Sequence, residues 1–525
     1  MKNRRQPFVF GWLFLCAAAI LLVGAVPLFA QTGTGSTSGT GTTGTRTGTT
    51  GTTGTTGTTG TRTGTTGTTG TSSTTTTGSA TTSDAPTPGA PPLQDLTSNR
   101  PGGGVFVNAS GVMSRYGAMD FGVVADRQLR ASKASYRLPG EVSAKSPMRC
   151  VSLNRLEKTI IEADGAISDE MLYLAGIQRI SHVFYFPESK DIVIAGPAEG
   201  WYPGHENTMV GATSLSPVLE LRHLVTALRA YAPGGEGGNI VGCSIDPTQE
   251  GSVRLQQFQQ QFGGVSRGMT QEFIRGVREN IGMQTVRVDG VPATTHAAQM
   301  MVAADYRMKR IALGEDPVPV RTLQTFINNT VPNGSNAVFR WYFTPDYDSV
   351  ILTEDRTGMQ LDGKGVKLVG ENELLSETGV RSTVVGELDP GSRVFTQSFT
   401  RLYPQISQRA LVFAQLRNWI DMLICAAHIQ REDFYGKSGW TMEFFGSEER
   451  YRLETLPAPK EVEPIVGARI SGNRTLLTPV GGVVIDAEIA LEAERVRLDT
   501  DGKITEQQKQ VALELPEGVW WWDVH

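Results

Sequence analysis

The chain has 525 residues, 39% of them hydrophobic and 19% charged, with a formal net charge of −5. That length is enough for more than one apolar core, and the acidic balance leaves no basic stripe for phosphates, so nucleic acid is not an expected partner. Four cysteines are too few and too scattered to staple a small disulfide scaffold.

Lys2, Arg4 and Arg5 precede an apolar run from Phe8 to Phe29, and the small residue Ala30 follows. This is the layout of a secretory signal over residues 1–30, which places the protein outside the cytoplasm, in the periplasm, the envelope or the medium. A membrane is expected to matter only if that leader stays uncut. Losing Lys2, Arg4 and Arg5 with it takes the net charge to −8 and leaves Cys150, Cys243 and Cys425, an odd number. Residues 31–100 are a linker, first Gly- and Thr-rich, then carrying Pro86, Pro88, Pro91 and Pro92. The tract has almost nothing apolar to bury, so nothing offsets the entropy of ordering it. Residues 101–148 form a lead-in.

A main domain is expected over 149–456. Leu153, Leu156, Ile160 and Ile161 recur at helical spacing, and Ser168 opens a second helix. Ile180–Phe186 and Ile192–Ala195 read as strands joined by a turn at 187–191. An amphipathic helix follows over Val218–Tyr231, then a strand at Ile240–Ile245, with Asp246-Pro247 capping a helix that runs to Phe262. Helix, strand and helix then cover Gln271–Ile281, Thr285–Val288 and Thr294–Leu313. Mixed alternation with antiparallel hairpins gives an α+β fold.

The aromatic run Arg340–Phe343 with Pro345 and Asp346, leading to Ser349–Leu352, echoes His182–Phe186 with Pro187 and Glu188. Matching hairpins in two pseudo-repeated halves would explain the echo. The longest helical region, Ser392–Gln430, is expected to break at Tyr403-Pro404, with a buried second part. Pro457–Pro464 reads as a linker into a smaller, strand-rich end over 457–525, where Gly472-Asn473 marks a hairpin and Trp520-Trp521-Trp522 pack the last strand.

No complete catalytic motif is present. Gly264-Val265-Ser266-Arg267-Gly268 has the letters of a nucleophile elbow, but a polar helix precedes it where a buried strand is needed. Gly436-Lys437-Ser438 ends like a phosphate loop, yet Arg431 stands where its first glycine belongs. Asp499-Thr-Asp501-Gly502 lacks the twelfth-position carboxylate of a calcium loop and reads as a hairpin turn. Asp421, Cys425 and His428 share one helix face at i, i+4 and i+7 and are the candidate metal ligands; a buried Cys and a core His account for the same letters. Glu199, His205, Asp305 and Asp346 are the candidate acids and bases, without an identifiable partner in sequence.

Gly196-Pro-Ala-Glu-Gly-Trp201, Ala304–Arg310, Phe343–Asp348 and Gly365-Val-Lys-Leu368 resemble segments of a family of exported planctomycete proteins built on a domain of unknown function. The resemblance spans about residues 150–450. It implies export and a shared fold, and it supplies no activity. The expectation is therefore a non-enzymatic envelope protein that binds or assembles with another envelope protein or a surface polymer, without a cofactor. The rival expectation is an extracytoplasmic hydrolase acting on glycan or peptide.

Overall fold

Strands rich in β-branched and aromatic residues lie at the centre of the molecule, and their alternation decides which of two cores each side chain enters. In the computed structural model, residues 105–107, 112–115 and 136–524 are described, except 205–207, 236, 238, 263–266, 331–337, 347–348, 376–380, 384–388, 454 and 472. The expected signal, the Gly/Thr tract, most of the lead-in, His205 and Gly264-Val265-Ser266 lie outside the described residues.

Among the described residues, one sheet has the order β1 (Val105–Val107), β2 (Val112–Arg115), β15 (Glu461–Val462), β9 (Gln284–Asp289), β8 (Ile240–Pro247), β17 (Asn473–Asp486), β10 (Val338–Asp346), β13 (Gly365–Leu375) and β14 (Arg381–Thr383). β16 (Gly467–Ser471) pairs with β17 from off this path. A second sheet has the order β18 (Val496–Leu498), β11 (Ser349–Leu352), β12 (Gly358–Asp362), β4 (His182–Phe186), β5 (Asp191–Ala198), β3 (Ser146–Ser152) and β19 (Trp521–Asp523). β6 (Trp201–Pro203) and β7 (Met209–Gly211) form a small separate ladder. With the helices these sheets make the α+β fold read from the sequence.

The helices of ten residues or more are α1 (Leu153–Glu162), α2 (Leu221–Ala230), α3 (Gln249–Phe262), α4 (Thr270–Ile281), α5 (His296–Ala312), α6 (Pro390–Arg409), α7 (Leu411–Arg431) and α8 (Lys503–Leu513). Ser152 caps α1 by accepting from the Arg155 N–H, and Leu153, Leu156 and Ile160 turn inward. β4 and β5 pair antiparallel as expected and are buried on both faces. Val183, Tyr185, Ile192 and Ile194 enter the main core. Phe184, Phe186, Val193 and Ala195 enter a smaller one with Ile504 and Val511 of α8 and Trp522.

The second expected hairpin does not form. β10 joins β13 and β17 in one sheet, whereas β11 joins β12 and β18 in the other. The two aromatic strands thus occupy unrelated places, and the pseudo-repeat falls with them. Strand-forming composition specifies an extended chain, not its partner.

The tail is woven into both sheets. β17 lies between β8 and β10, and Gly481 and Gly482 make this approach possible. A Cβ at Gly481 would stand 1.8 Å from the Trp341 carbonyl oxygen, and one at Gly482 1.7 Å from that of Cys243. The stretch expected as a linker carries β15, paired with β9 and β2. The expected hairpin does form from β16 to β17, with Ser471 opposite Asn473. β19 pairs with β3, Trp520 packs into the main core and Trp522 into the smaller one, and the fully buried Arg149 guanidinium binds Asp523 at 2.7 Å.

Three local signals act differently from expectation. The Thr248 hydroxyl, and not Asp246-Pro247, accepts the Gly251 N–H at the start of α3, because β8 runs on through Pro247. Pro404 lies inside α6, and the break comes at Ala410, where α6 and α7 bend by 110°. Pro404 is exposed, so water can serve the carbonyl that its ring leaves unbonded. Asp499 turns β18 into α8, not into another strand, by accepting from the Thr505 N–H at 2.9 Å. No single helix among the described residues is long and apolar enough to cross a membrane.

Candidate functional site

Two helix starts meet beside α7. Glu220 is extended at the cap position of α2 and uses no side-chain cap bond, so its carboxylate is available to neighbours; it accepts from Arg222 Nε at 2.5 Å. One turn of helix carries His223 back over Glu220, with the His223 N–H bonded to the Glu220 carbonyl at 3.0 Å. Thr295 caps α5 by accepting the Ala298 N–H, which makes His296 its first helical residue. His223 Nε2 and His296 Nδ1 lie 2.7 Å apart. The rings are nearly coplanar, 8° apart, with centroids separated by 4.9 Å. That separation fits two imidazoles meeting edge to edge, one nitrogen donating and the other accepting. Trp419 of α7 stands edge-on to His223 at 6.4 Å.

Ligand atoms of Glu220, His223 and His296 all lie within 4.8 Å of one another. Among the described residues this is the group of three metal-ligating side chains that converges. Glu220 and His223 are buried and His296 is partly exposed, so access is from the His296 side. Burial, then Arg222, lowers the His223 pKa to about 3. Burial, then His223 and Arg222, lowers that of His296 to about 3 against the opposing pull of Glu220. Both rings are therefore neutral at pH 7, the form that binds metal. Two imidazoles and a carboxylate form a donor set suited to zinc and related divalent ions, with a fourth position left over. Two nitrogens at tetrahedral zinc are about 3.3 Å apart, so a metal has to part this pair by about 0.6 Å and replace its hydrogen bond.

The residues singled out in the sequence lie elsewhere. Glu199 is buried, and its Oε1 accepts from Gln178 Nε2 at 2.8 Å and from the Thr213 and Ser214 N–H groups at 3.0 and 2.7 Å. Burial alone raises its pKa, but those hydrogen bonds prevail and lower it. It anchors the turn after β7. Asp305 is wholly buried in α5, in a 2.6 Å ion pair with Lys309; burial raises its pKa and Lys309 opposes. It cannot face a solvent cleft. Asp346 is half-buried at the end of β10, opposite Gly365.

On α7, Asp421 accepts from Arg179 Nε at 2.8 Å. Burial raises the Asp421 pKa to about 6, and Arg179 opposes. Cys425 is buried, its thiol pKa pushed well up. His428 stands edge-on to Phe434 at 5.3 Å, with neither ring nitrogen hydrogen-bonded. These three do not converge. All three cysteines of the described residues are buried and free. The overlooked signal was Glu220-x-x-His223, an i, i+3 pair at a helix start; its partner, His296, is 73 residues away.

Residues 243–326 match a family model described as a protein of unknown function (DUF1598). That stretch holds His296 and Asp305 but neither Glu220 nor His223. Of the four strings that carried the resemblance, only Ala304–Arg310 falls within it. No curated protein and no solved structure matches the chain.

Proposed function

We propose that the chain is an exported, non-enzymatic binding module of the cell envelope whose centre takes a divalent transition-metal ion at Glu220, His223 and His296. The observation that carries this is the convergence of three ligand atoms within 4.8 Å from two separate helix starts. The neutral state of the two imidazoles supports it, because no proton competes with the metal at pH 7. The hydrolase reading gains no support from its own carboxylates: Glu199 is committed to a turn and Asp305 to Lys309.

Calorimetric titration of the metal-stripped chain with zinc at pH 7 tests the proposal. One equivalent should bind, and His223→Ala or His296→Ala should weaken it by at least ~100-fold while the circular dichroism of the fold is kept. Zinc binding that is absent, or that both variants retain, overturns it.

A further inference from the structure

α7 carries a charge that its surroundings leave uncompensated. Arg417 is half-buried, and its Nε is shielded from water without a hydrogen-bond partner. Burial lowers its pKa to about 10, the nearby Arg179 guanidinium adds to the effect, and only the Tyr403 hydroxyl opposes; no carboxylate among the described residues contributes. The obvious counter-charge is already engaged. Asp421, one helical turn further along the same helix, accepts from Arg179 Nε at 2.8 Å, and Arg179 Nη2 also reaches the Gly363 carbonyl at 3.4 Å. That carboxylate serves Arg179, and no acidic side chain among the described residues pairs with Arg417.

Buried charges are ordinarily paired, because an unpaired one costs several kcal/mol. A guanidinium does not escape by losing its proton near neutral pH. Its planar fork of donors matches the two oxygens of a phosphate, sulfate or carboxylate group. Residual positive charge and an unused, water-shielded donor therefore coincide at one place on α7. We propose that Arg417, flanked by Arg179, is a binding site for a small oxyanion or for the oxyanionic group of a larger ligand. The site is separate from the histidine centre, and its charge is of the sign that repels a metal ion.

Thermal unfolding of the full chain in sodium phosphate, sodium sulfate and sodium acetate, each against sodium chloride at equal ionic strength, tests this. At least one oxyanion should raise the midpoint above chloride, and the responding salt identifies the group. Arg417→Met should lose that rise, with affinity for the responding anion down at least ~10-fold. In chloride the same variant should be no less stable than the parent, since it removes an uncompensated charge. Arg417→Lys, which keeps the charge without the fork, should retain only part of the response. If no oxyanion exceeds chloride with the parent chain, the proposal fails without any variant. It fails equally if Arg417→Met responds as the parent does.

Discussion

Two sets of would-be metal ligands can be compared in this molecule. Asp421, Cys425 and His428 share a face of α7, yet each is occupied by a different neighbour: Arg179, the apolar core, and the Phe434 ring. Seven residues of helix advance about 10.5 Å, so side chains at its ends cannot reach one ion without help from elsewhere. Glu220, His223 and His296 come from two helix starts, and their ligand atoms lie within 4.8 Å of one another. A shared face aligns residues; convergence needs a second element.

The largest expected effect is that of acid. His182, His223, His296 and His428 are held neutral by burial, with pKa values lowered to about 4, 3, 3 and 3. In the unfolded chain each takes a proton near 6.5. The histidine contribution to stability should therefore be flat above about pH 7 and fall as pH drops from about 6.5 toward 3, where the unfolded state binds more protons. Asp421 acts in the opposite sense, since its folded pKa of about 6 lies above the unfolded value, and it offsets part of the loss between about pH 6 and 4. Denaturant titrations across that range measure the net fall. Stability that is unchanged from pH 7 to 4 would show that the histidines are not buried neutral.

Next in size is Asp421→Ala, which strips Arg179 of its carboxylate and should cost ~3–5 kcal/mol of unfolding free energy. Zinc affinity should stay within about twofold in this variant if the two ligand sets are independent; a larger change would tie them together. Glu220→Gln should fold normally and bind zinc ~10-fold more weakly, about 1.4 kcal/mol. Unchanged affinity would remove Glu220 from the ligand set and leave a bare histidine pair. The smallest effect belongs to His428→Leu, which removes two buried ring nitrogens without partners. It should leave zinc binding intact and raise stability by ~1 kcal/mol, read from the urea midpoint.

Much of the local structure was legible along the chain. Serines at 152 and 168 cap helices, and alternation through β4 and β5 sets an antiparallel hairpin with a short turn. In each case the determinant and its consequence lie within a few residues. Glu157 shows where this kind of reading stops. It is an unremarkable position on α1, yet its carboxylate is buried and accepts the Phe444 and Phe445 N–H groups at 2.8 and 2.6 Å and the Trp440 indole N–H, fixing a segment nearly three hundred residues away. The candidate site divides in the same way: the Glu220–His223 pair is local and visible, and its completion by His296 is not.

The sequence by itself determined the α+β class, the Ser168 cap, the β4–β5 and β16–β17 hairpins and the packing of the terminal tryptophans. These follow from side-chain periodicity, turn chemistry and apolar area, which act between near neighbours. Only the tertiary structure decided that β10 and β11 part into different sheets, that β17 from the tail enters the middle of the larger one, and that two distant helix starts bring their imidazoles to 2.7 Å. Those outcomes depend on which surfaces exclude water together, and strand or helix composition is the same whichever partner does so.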